Sequence, residues 1–463
     1  MSEKIDKIDV RDVIQVDSEL IENISTLIED QAKESLMNIF ANLHPADIAE
    51  IINNLNIEKA SFAFELLDNE TAGEVLIELD ENLREKLLKR IDAETISDIV
   101  EELDTDDATD IVSELPEEIA DAVLEKLDRE ESEDVKKLLE YPEDSAGGIM
   151  NSDFVYVYED NTIKGAIKEI RKHAEEFEHI YHIYVLNHSD QLVGIVYLKS
   201  LLTNPLRQKI TSVMEEDLIY VNPNTDQEEV AALMDKYDLV AIPVVDSNKV
   251  MLGRITIDDV VDVINEEASE DIQKIVGLSE EQESSDSVFR ISRIRLPWLI
   301  IGLVLEVLNA LILSNYEASL TQILVATFFM PIVMAVGGSS GTQSAIVMVR
   351  SLGSKEIWLK EVAKKLGKEL FVSLINGIVL SSILFSLVFL FFSQETVTIS
   401  FTLILCLSLQ IIILFSTMMG AAIPIVLKKM GLDPAIATGP FVTSSNDIIG
   451  LLIYLSLVTW FML

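Results

Sequence analysis

Along the first 140 or so positions, apolar residues return at helical spacing in short bursts. His44-Pro45-Ala46-Asp47-Ile48-Ala49-Glu50 sets the theme, and Glu94-Thr95-Ile96-Ser97-Asp98-Ile99-Val100, Asp106-Asp107-Ala108-Thr109-Asp110-Ile111-Val112 and Glu117-Glu118-Ile119-Ala120-Asp121-Ala122-Val123 repeat it. Each burst has a polar, capping start and Ile, Leu or Val on one face. Each is too short to be stable alone, so the units are expected to stack as a superhelix with acids on its outer face, over residues 34–139. Beyond Tyr141 the pattern changes to short β-branched runs bounded by turn residues. Ile183-Tyr184-Val185-Leu186 and Val193-Gly194-Ile195-Val196 match Ile242-Pro243-Val244-Val245 and Leu252-Gly253-Arg254-Ile255, and helices are expected over 163–173 and 227–237. A polar helix over 259–273 follows. From residue 296 five apolar runs, 296–314, 320–349, 371–392, 401–427 and 434–463, come close to or exceed the roughly twenty residues that cross a bilayer.

Charge divides the chain the same way. Of 463 residues 79 are Asp or Glu and 35 are Lys or Arg, yet from Arg290 onward only eight acids and eleven bases remain. The N-terminal part therefore carries the whole negative balance, which excludes a nucleic-acid footprint. Such a surface repels itself unless it is simply solvated or multivalent cations neutralise it. Arg290, Arg293 and Arg295 precede the first span, Arg350 and five lysines lie between the second and third, and Lys428 and Lys429 between the fourth and fifth; no Lys or Arg flanks Glu317 or Glu395. That alternation predicts a cytosolic acidic region and a C-terminus outside. The start has no apolar core of a signal peptide, so the first 290 residues are expected to stay where they are made. One cysteine, Cys406, speaks against disulfides and thiolate metal sites.

Two acids stand in or beside the last apolar run. An ionisable side chain inside a span costs roughly 2.5 to 3.5 kcal/mol on insertion scales, so Asp433 and Asp447 are candidates for lining a path for a positive ion. In an unbroken helix they would lie about 21 Å apart and about 40° out of line, on one stripe. Gly439-Pro440 would interrupt that helix and free a carbonyl. Asp433-Pro434 also reads as a plain helix start, with Asp as N-cap, and the two readings are compatible. Gly337-Gly338-Ser339-Ser340-Gly341-Thr342-Gln343 offers a small, polar face for close helix approach. Glu306 and Asn309 share a face of the first span, as buried glue or as pore lining, and Gly420 and Pro424 are expected to loosen the fourth. One carboxylate makes a poor divalent site, so a homodimer with its pore on the two-fold axis is expected. In the polar helix, acids three and four apart repel by a few tenths of a kcal/mol per pair. A hard divalent ion bridging them would reverse that penalty, and an exposed amphipathic linker is the plainer alternative.

The α/β repeat resembles a tandem pair of CBS modules. In that family a Thr followed three residues later by Asp often holds a nucleotide ribose; the second copy has Thr256 and Asp259, where the first has Tyr197 and Ser200. At most one good nucleotide site, for ATP or a relative, is implied. The whole order resembles the MgtE family of magnesium channels and transporters. The motifs are His44-Pro45-Ala46-Asp47-Ile48-Ala49, Tyr141-Pro142-Glu143-Asp144-Ser145-Ala146-Gly147, Glu266-Glu267-Ala268-Ser269-Glu270-Asp271-Ile272-Gln273-Lys274, Arg295-Leu296-Pro297-Trp298, Gly337-Gly338 through Gln343, and Asp433-Pro434-Ala435. The resemblance implies a multi-domain membrane protein: an all-α superhelical N-domain (1–138), an α/β CBS pair (139–202 and 203–263), a connecting plug helix (264–290) and a five-span α-helical transmembrane domain (291–463). It implies a homodimer in the plasma membrane in which Asp433 of both subunits holds hydrated Mg²⁺. It implies further that cytosolic Mg²⁺ closes the pore through Asp226, Glu228, Asp238, Asp259, Asp262, Glu267, Glu270 and Asp271, with Asp106, Asp107 and Asp110 in the superhelix. Ser339, where the family usually has Asn, and Ser445-Asn446 before Asp447 depart from its pattern and bear on ion selectivity. Passive flow is expected because no ATPase signature is present. Two alternatives stay open: the same architecture carrying Co²⁺ or Mn²⁺, against which hard oxygen ligands argue, and a nucleotide-sensing membrane receptor without transport.

Overall fold

The structure, a computed structural model, describes residues 16–174, 177, 179–276, 288–353, 362–393, 397–434 and 440–463. The chain forms two compact units, up to Glu266 and from Glu267.

The first unit opens with ten short helices, α1 (Ser18–Glu29), α2 (Lys33–Phe40), α3 (Pro45–Asn53), α4 (Ile57–Phe64), α5 (Asn69–Ile77), α6 (Glu81–Leu88), α7 (Ala93–Val100), α8 (Thr105–Ser113), α9 (Glu117–Leu124) and α10 (Arg129–Leu138). Several starts are fixed by a side-chain cap. Asp17, Asn56, Asp68 and Asp92 each accept a backbone N–H of the first turn, and His44 does so through Nδ1 with Pro45 at the first helical position. Helices then pack on their second neighbours, α3 on α5, α5 on α7, α7 on α9, α4 on α6 and α8 on α10. One apolar core results, continuous from Ile24 to Val135. The superhelix starts earlier than the repeat suggested, at Ser18, because α1 buries Ile24 and Ile28 in that core.

The α/β part is two hairpins of one design: β2 (His182–Leu186) with β3 (Leu192–Tyr197), and β4 (Ala241–Val245) with β5 (Met251–Thr256). Pairing runs His182 to Tyr197 and Ala241 to Thr256, and both ladders slip at the same place, Val185/Leu186 and Val244/Val245. Both turns carry a non-glycine residue with positive φ, Asp190 and Lys249. The turns also hold each other, with Leu192 N–H on Lys249 O at 2.9 Å and Met251 N–H on Asp190 O at 3.1 Å. In the first copy β1 (Tyr156–Tyr158) adds a parallel strand to β2, whereas its counterpart shrinks to a single bridge, Val221 to Val244. Pro243 explains the difference, since it stands where Tyr184 donates to Val155 O and has no N–H to give. Helices α11 (Ile163–Lys172) and α13 (Gln227–Tyr237) lie where expected, with α12 (Leu198–Thr203) after β3. α14 (Ile257–Val276) follows β5 without a break, so the expected boundary at 263/264 falls inside a helix.

Among the described residues, the second unit has five helices long and apolar enough to cross a membrane: α15 (Val288–Asn315), α17 (Val325–Gly353), α18 (Val362–Phe391), α19 (Ile399–Lys429) and α20 (Pro440–Met462), with a short α16 (Glu317–Gln322). α19 is the hub, packing on α17, α18 and α20, while α15 packs chiefly on α20. The small residues of α17 permit this. A β-carbon at Gly337 would meet Ile412 at 2.7 Å, and one at Gly420 would meet the carbonyl oxygen of Gly341 at 2.1 Å. Gly420 and Pro424 do not loosen α19 as expected. That helix is continuous and both residues are buried, Gly420 at a backbone-on-backbone crossing.

Candidate functional site

Three places gather several of the sequence-predicted acids. The first is the head of α8. Thr105 Oγ1 donates towards Asn151 Oδ1 (3.0 Å) and Asp153 Oδ2 (3.1 Å) and accepts from Ser152 N (3.1 Å). Asn151 in turn exchanges two backbone hydrogen bonds with Arg254 of β5, each 2.8 Å. These ties bring the first turn of α8 towards the start of α14. Burial, then Asp107, Asp259 and Asp104, push the Asp106 carboxyl well above the usual carboxylate range. Burial, then Asp259 and Asp104, push Asp107 to about 8. Burial also raises Asp259, against the hydrogen bonds from Thr256, to about 6. The acids of α8 thus do not all point outward, since Asp106 is buried; Asp110 is exposed. Asp104 and Asp258 belong to this cluster and were missed, because neither stands in a motif that marks it.

Among the described residues, no three His, Cys, Asp or Glu converge on one metal position. The donors here are carboxylate oxygens, which suit a hard ion. Mg²⁺ keeps several waters and takes one or two carboxylates, so crowded rather than convergent carboxylates fit a hydrated ion.

Some of the remaining candidates have local tasks that the sequence did not disclose. Asp226 caps α13, accepting from Glu228 N at 2.9 Å, and Asp238 ends it in the left-handed region, φ 52°. Asp226, Glu228, Asp238 and Asp262 are exposed. Thr256 and Asp259 bond to each other: Asp259 Oδ2 accepts both Thr256 N–H and Thr256 O–H at 2.9 Å, the geometry of a helix-starting box. Thr256 O–H also contacts Asp258. At the matching place in the first copy, Tyr197 gives α12 no side-chain cap. Glu267 and Glu270 lie on α14, half-buried and exposed respectively; the side chain of Asp271 lies outside the described residues.

The second place is Asp433. α19 ends in a turn that fixes it: Gly431, at φ +75°, donates to Lys428 O (3.2 Å) and Leu432 N–H reaches Leu427 O (3.0 Å). This reversal strongly favours glycine. Asp433 follows in non-helical backbone, half-buried. Its Oδ2 lies 2.8 Å from Lys274 Nζ on the last turn of α14, and Lys274 also reaches Glu270 Oε1 at 2.6 Å. Burial would lower the Lys274 ammonium, but the two carboxylates outweigh it and hold its pKa raised. The single stripe expected for Asp433 and Asp447 on one helix is not formed, because Asp433 itself stands in non-helical backbone. Residues 435–439, and with them the expected free carbonyl of Ile436, lie outside the described residues.

The third place is Asp447, on α20. It lines a cavity of about 500 Å³ with Gly338, Ser339, Thr342, Gln343 and Thr443. The hydroxyls of Thr342 and Thr443 are 3.5 Å apart across α17 and α20. In α15, Asn309 donates to Glu306 Oε2 at 3.1 Å and is buried, consistent with the shared face expected for that pair.

Comparison with known proteins adds independent findings. Residues 330–457 match a family described as MgtE, divalent cation transporter, residues 43–144 match the MgtE intracellular N domain, and 146–206 and 210–266 match CBS domains. The chain is 37% identical over 327 residues to the magnesium transporter MgtE of Bacillus subtilis, covering 71% of this chain and 72% of that one. It is 33% identical over 327 residues to the magnesium transporter MgtE of Thermus thermophilus, covering 70% and 71%. A crystal structure of the cytosolic domain of the Mg²⁺ channel MgtE in complex with ATP is similar at 31% identity and a TM-score of 0.50, covering 52% of this chain and 99% of that one. With its superhelix, CBS pair and five spans, the chain is a multi-pass membrane protein and belongs to the MgtE family.

Proposed function

We propose that the protein is a homodimeric pathway for passive Mg²⁺ uptake across the plasma membrane, with its acidic unit in the cytosol and its C-terminus outside. The carrying observation is a carboxylate, Asp447, facing a hydroxyl- and amide-lined cavity between apolar helices, where an uncompensated charge would cost several kcal/mol. Asp433, held after the Gly431 turn, serves as the mouth site, and two copies about a two-fold axis supply two such carboxylates to one hydrated ion. The names of the relatives support Mg²⁺ as the cargo, and the oxygen donors suit a hard divalent ion.

Closure by cytosolic Mg²⁺ follows from the crowded acids. Asp106, Asp107 and Asp259 repel one another once ionised, and an ion on them stabilises the arrangement that holds α8 to α14. Asp110, Asp226, Glu228, Asp238, Asp262, Glu267, Glu270 and Asp271 are further acids proposed for the same regulation. The ATP complex of a similar cytosolic domain supports a nucleotide at the CBS pair, with Thr256 and Asp259 on the ribose. Mg²⁺ uptake into proteoliposomes, with internal Mg²⁺ varied, tests the proposal: Asp433→Ala abolishes flux while the protein still elutes as one folded species. Undiminished flux in that variant would refute the assignment.

A further inference from the structure

Lys274 has no part in the function as proposed so far, although its ammonium lies 2.8 Å from Asp433 Oδ2. The pair is well shielded, with the two side chains 26% and 32% exposed. Its ammonium has three donors and no acceptor, and spans two carboxylates, Asp433 Oδ2 at 2.8 Å and Glu270 Oε1 at 2.6 Å. Glu270 lies one turn back on the same helix, so it accompanies Lys274 wherever that turn goes. Asp433 belongs to a different segment, set by the end of α19.

We infer that Lys274 is a tethered competitor for the permeating cation: its ammonium occupies the Asp433 carboxylate, and an arriving ion must displace it onto Glu270. The inference rests on Asp433 being the mouth site. An ammonium on a short flexible stem is present at its partner at an effective concentration on the order of millimolar, so it competes with a soluble ion at ordinary concentrations. Displacement does not strand the charge, because Glu270 keeps it paired; a lone ammonium shielded there would resist release. The two carboxylates therefore have opposite effects on the mouth. Asp433 attracts the ion, and Glu270 draws the competitor away.

The test is the Mg²⁺ concentration that half-saturates flux into proteoliposomes with a nominally Mg²⁺-free lumen, which keeps regulatory closure out of the readout. Lys274→Met and Lys274→Gln lower it roughly two- to five-fold, the range a partly exposed ion pair supplies. Lys274→Arg, which keeps the charge on a long stem, stays near wild type. Glu270→Gln raises it, because the ammonium loses its second partner. Unchanged or higher half-saturation in both neutral Lys274 variants, with Asp433→Asn inactive, overturns this inference alone. Full flux in Asp433→Asn overturns the mouth site on which it rests.

Discussion

Asp107→Asn probes whether the head of α8 is held together against its own repulsion. In the wild type, burial and the neighbouring Asp259 and Asp104 raise this carboxyl from 3.8 to about 8. Between those values the folded protein keeps a proton that the unfolded chain has released. A carboxyl raised in the folded state contributes stability that is present at low pH and lost as pH climbs towards the folded value. The loss is at most about 1.4 kcal/mol per pH unit for one proton. Asn has no proton to lose, so the variant gains on the wild type by that slope. For a unit of this size about 1 kcal/mol moves the midpoint by roughly 3 °C. Thermal melts of the full chain in detergent with chelator, followed by far-ultraviolet circular dichroism, should therefore show the wild-type midpoint of the N-terminal unit falling by roughly 3 to 4 °C per pH unit relative to Asp107→Asn, between about pH 5 and 8. Added Mg²⁺ closes the gap at the alkaline end, where the carboxylates are charged, and does little at the acid end. A difference that stays constant with pH, or a variant less stable than wild type near pH 8, would show that the charges are already compensated.

Three further outcomes are expected. Neutralising Glu267, Glu270 and Asp271 together leaves flux high at raised internal Mg²⁺, and closure that survives the triple change removes α14 from the gate. Gly420→Ala drives a β-carbon into the carbonyl oxygen of Gly341 and costs at least about 1 to 3 kcal/mol, read as a lowered midpoint by tryptophan fluorescence; Gly302→Ala, with nothing within 4 Å, is neutral or slightly stabilising. Thr256→Ala weakens ATP binding by calorimetry at least several-fold, about the worth of one hydrogen bond, whereas Tyr197→Ala leaves it unchanged; equal effects would place the nucleotide elsewhere.

The sequence was most legible where one period repeats. Short amphipathic bursts could only stack, five long apolar runs could only span, and the matching of His182–Leu186 with Ala241–Val245 survives down to the slip in each ladder. It was least legible where one residue serves two ends. Asp226 and Asp259 read as ligands by motif, yet each also caps a helix. Lys274 was visible only as the fourth residue after Glu270, because its other partner is brought to it by the reversal at Gly431. The cavity beside Asp447 could not be foreseen either. Gly338, Ser339, Thr342 and Gln343 announce a close helix approach, but not which side of α17 is filled and which left open.

The contact between Gly341 and Gly420 has a mechanical corollary. With main chain resting directly on main chain, α17 cannot slide along α19 without first separating from it, so those two helices behave as a fixed post. α15 leans mainly on α20 and only lightly on anything else in its own unit. The cavity beside Asp447 is lined by α17 and α20, so with α17 fixed its width is set by the position of α20, with α15 carried along as its passenger.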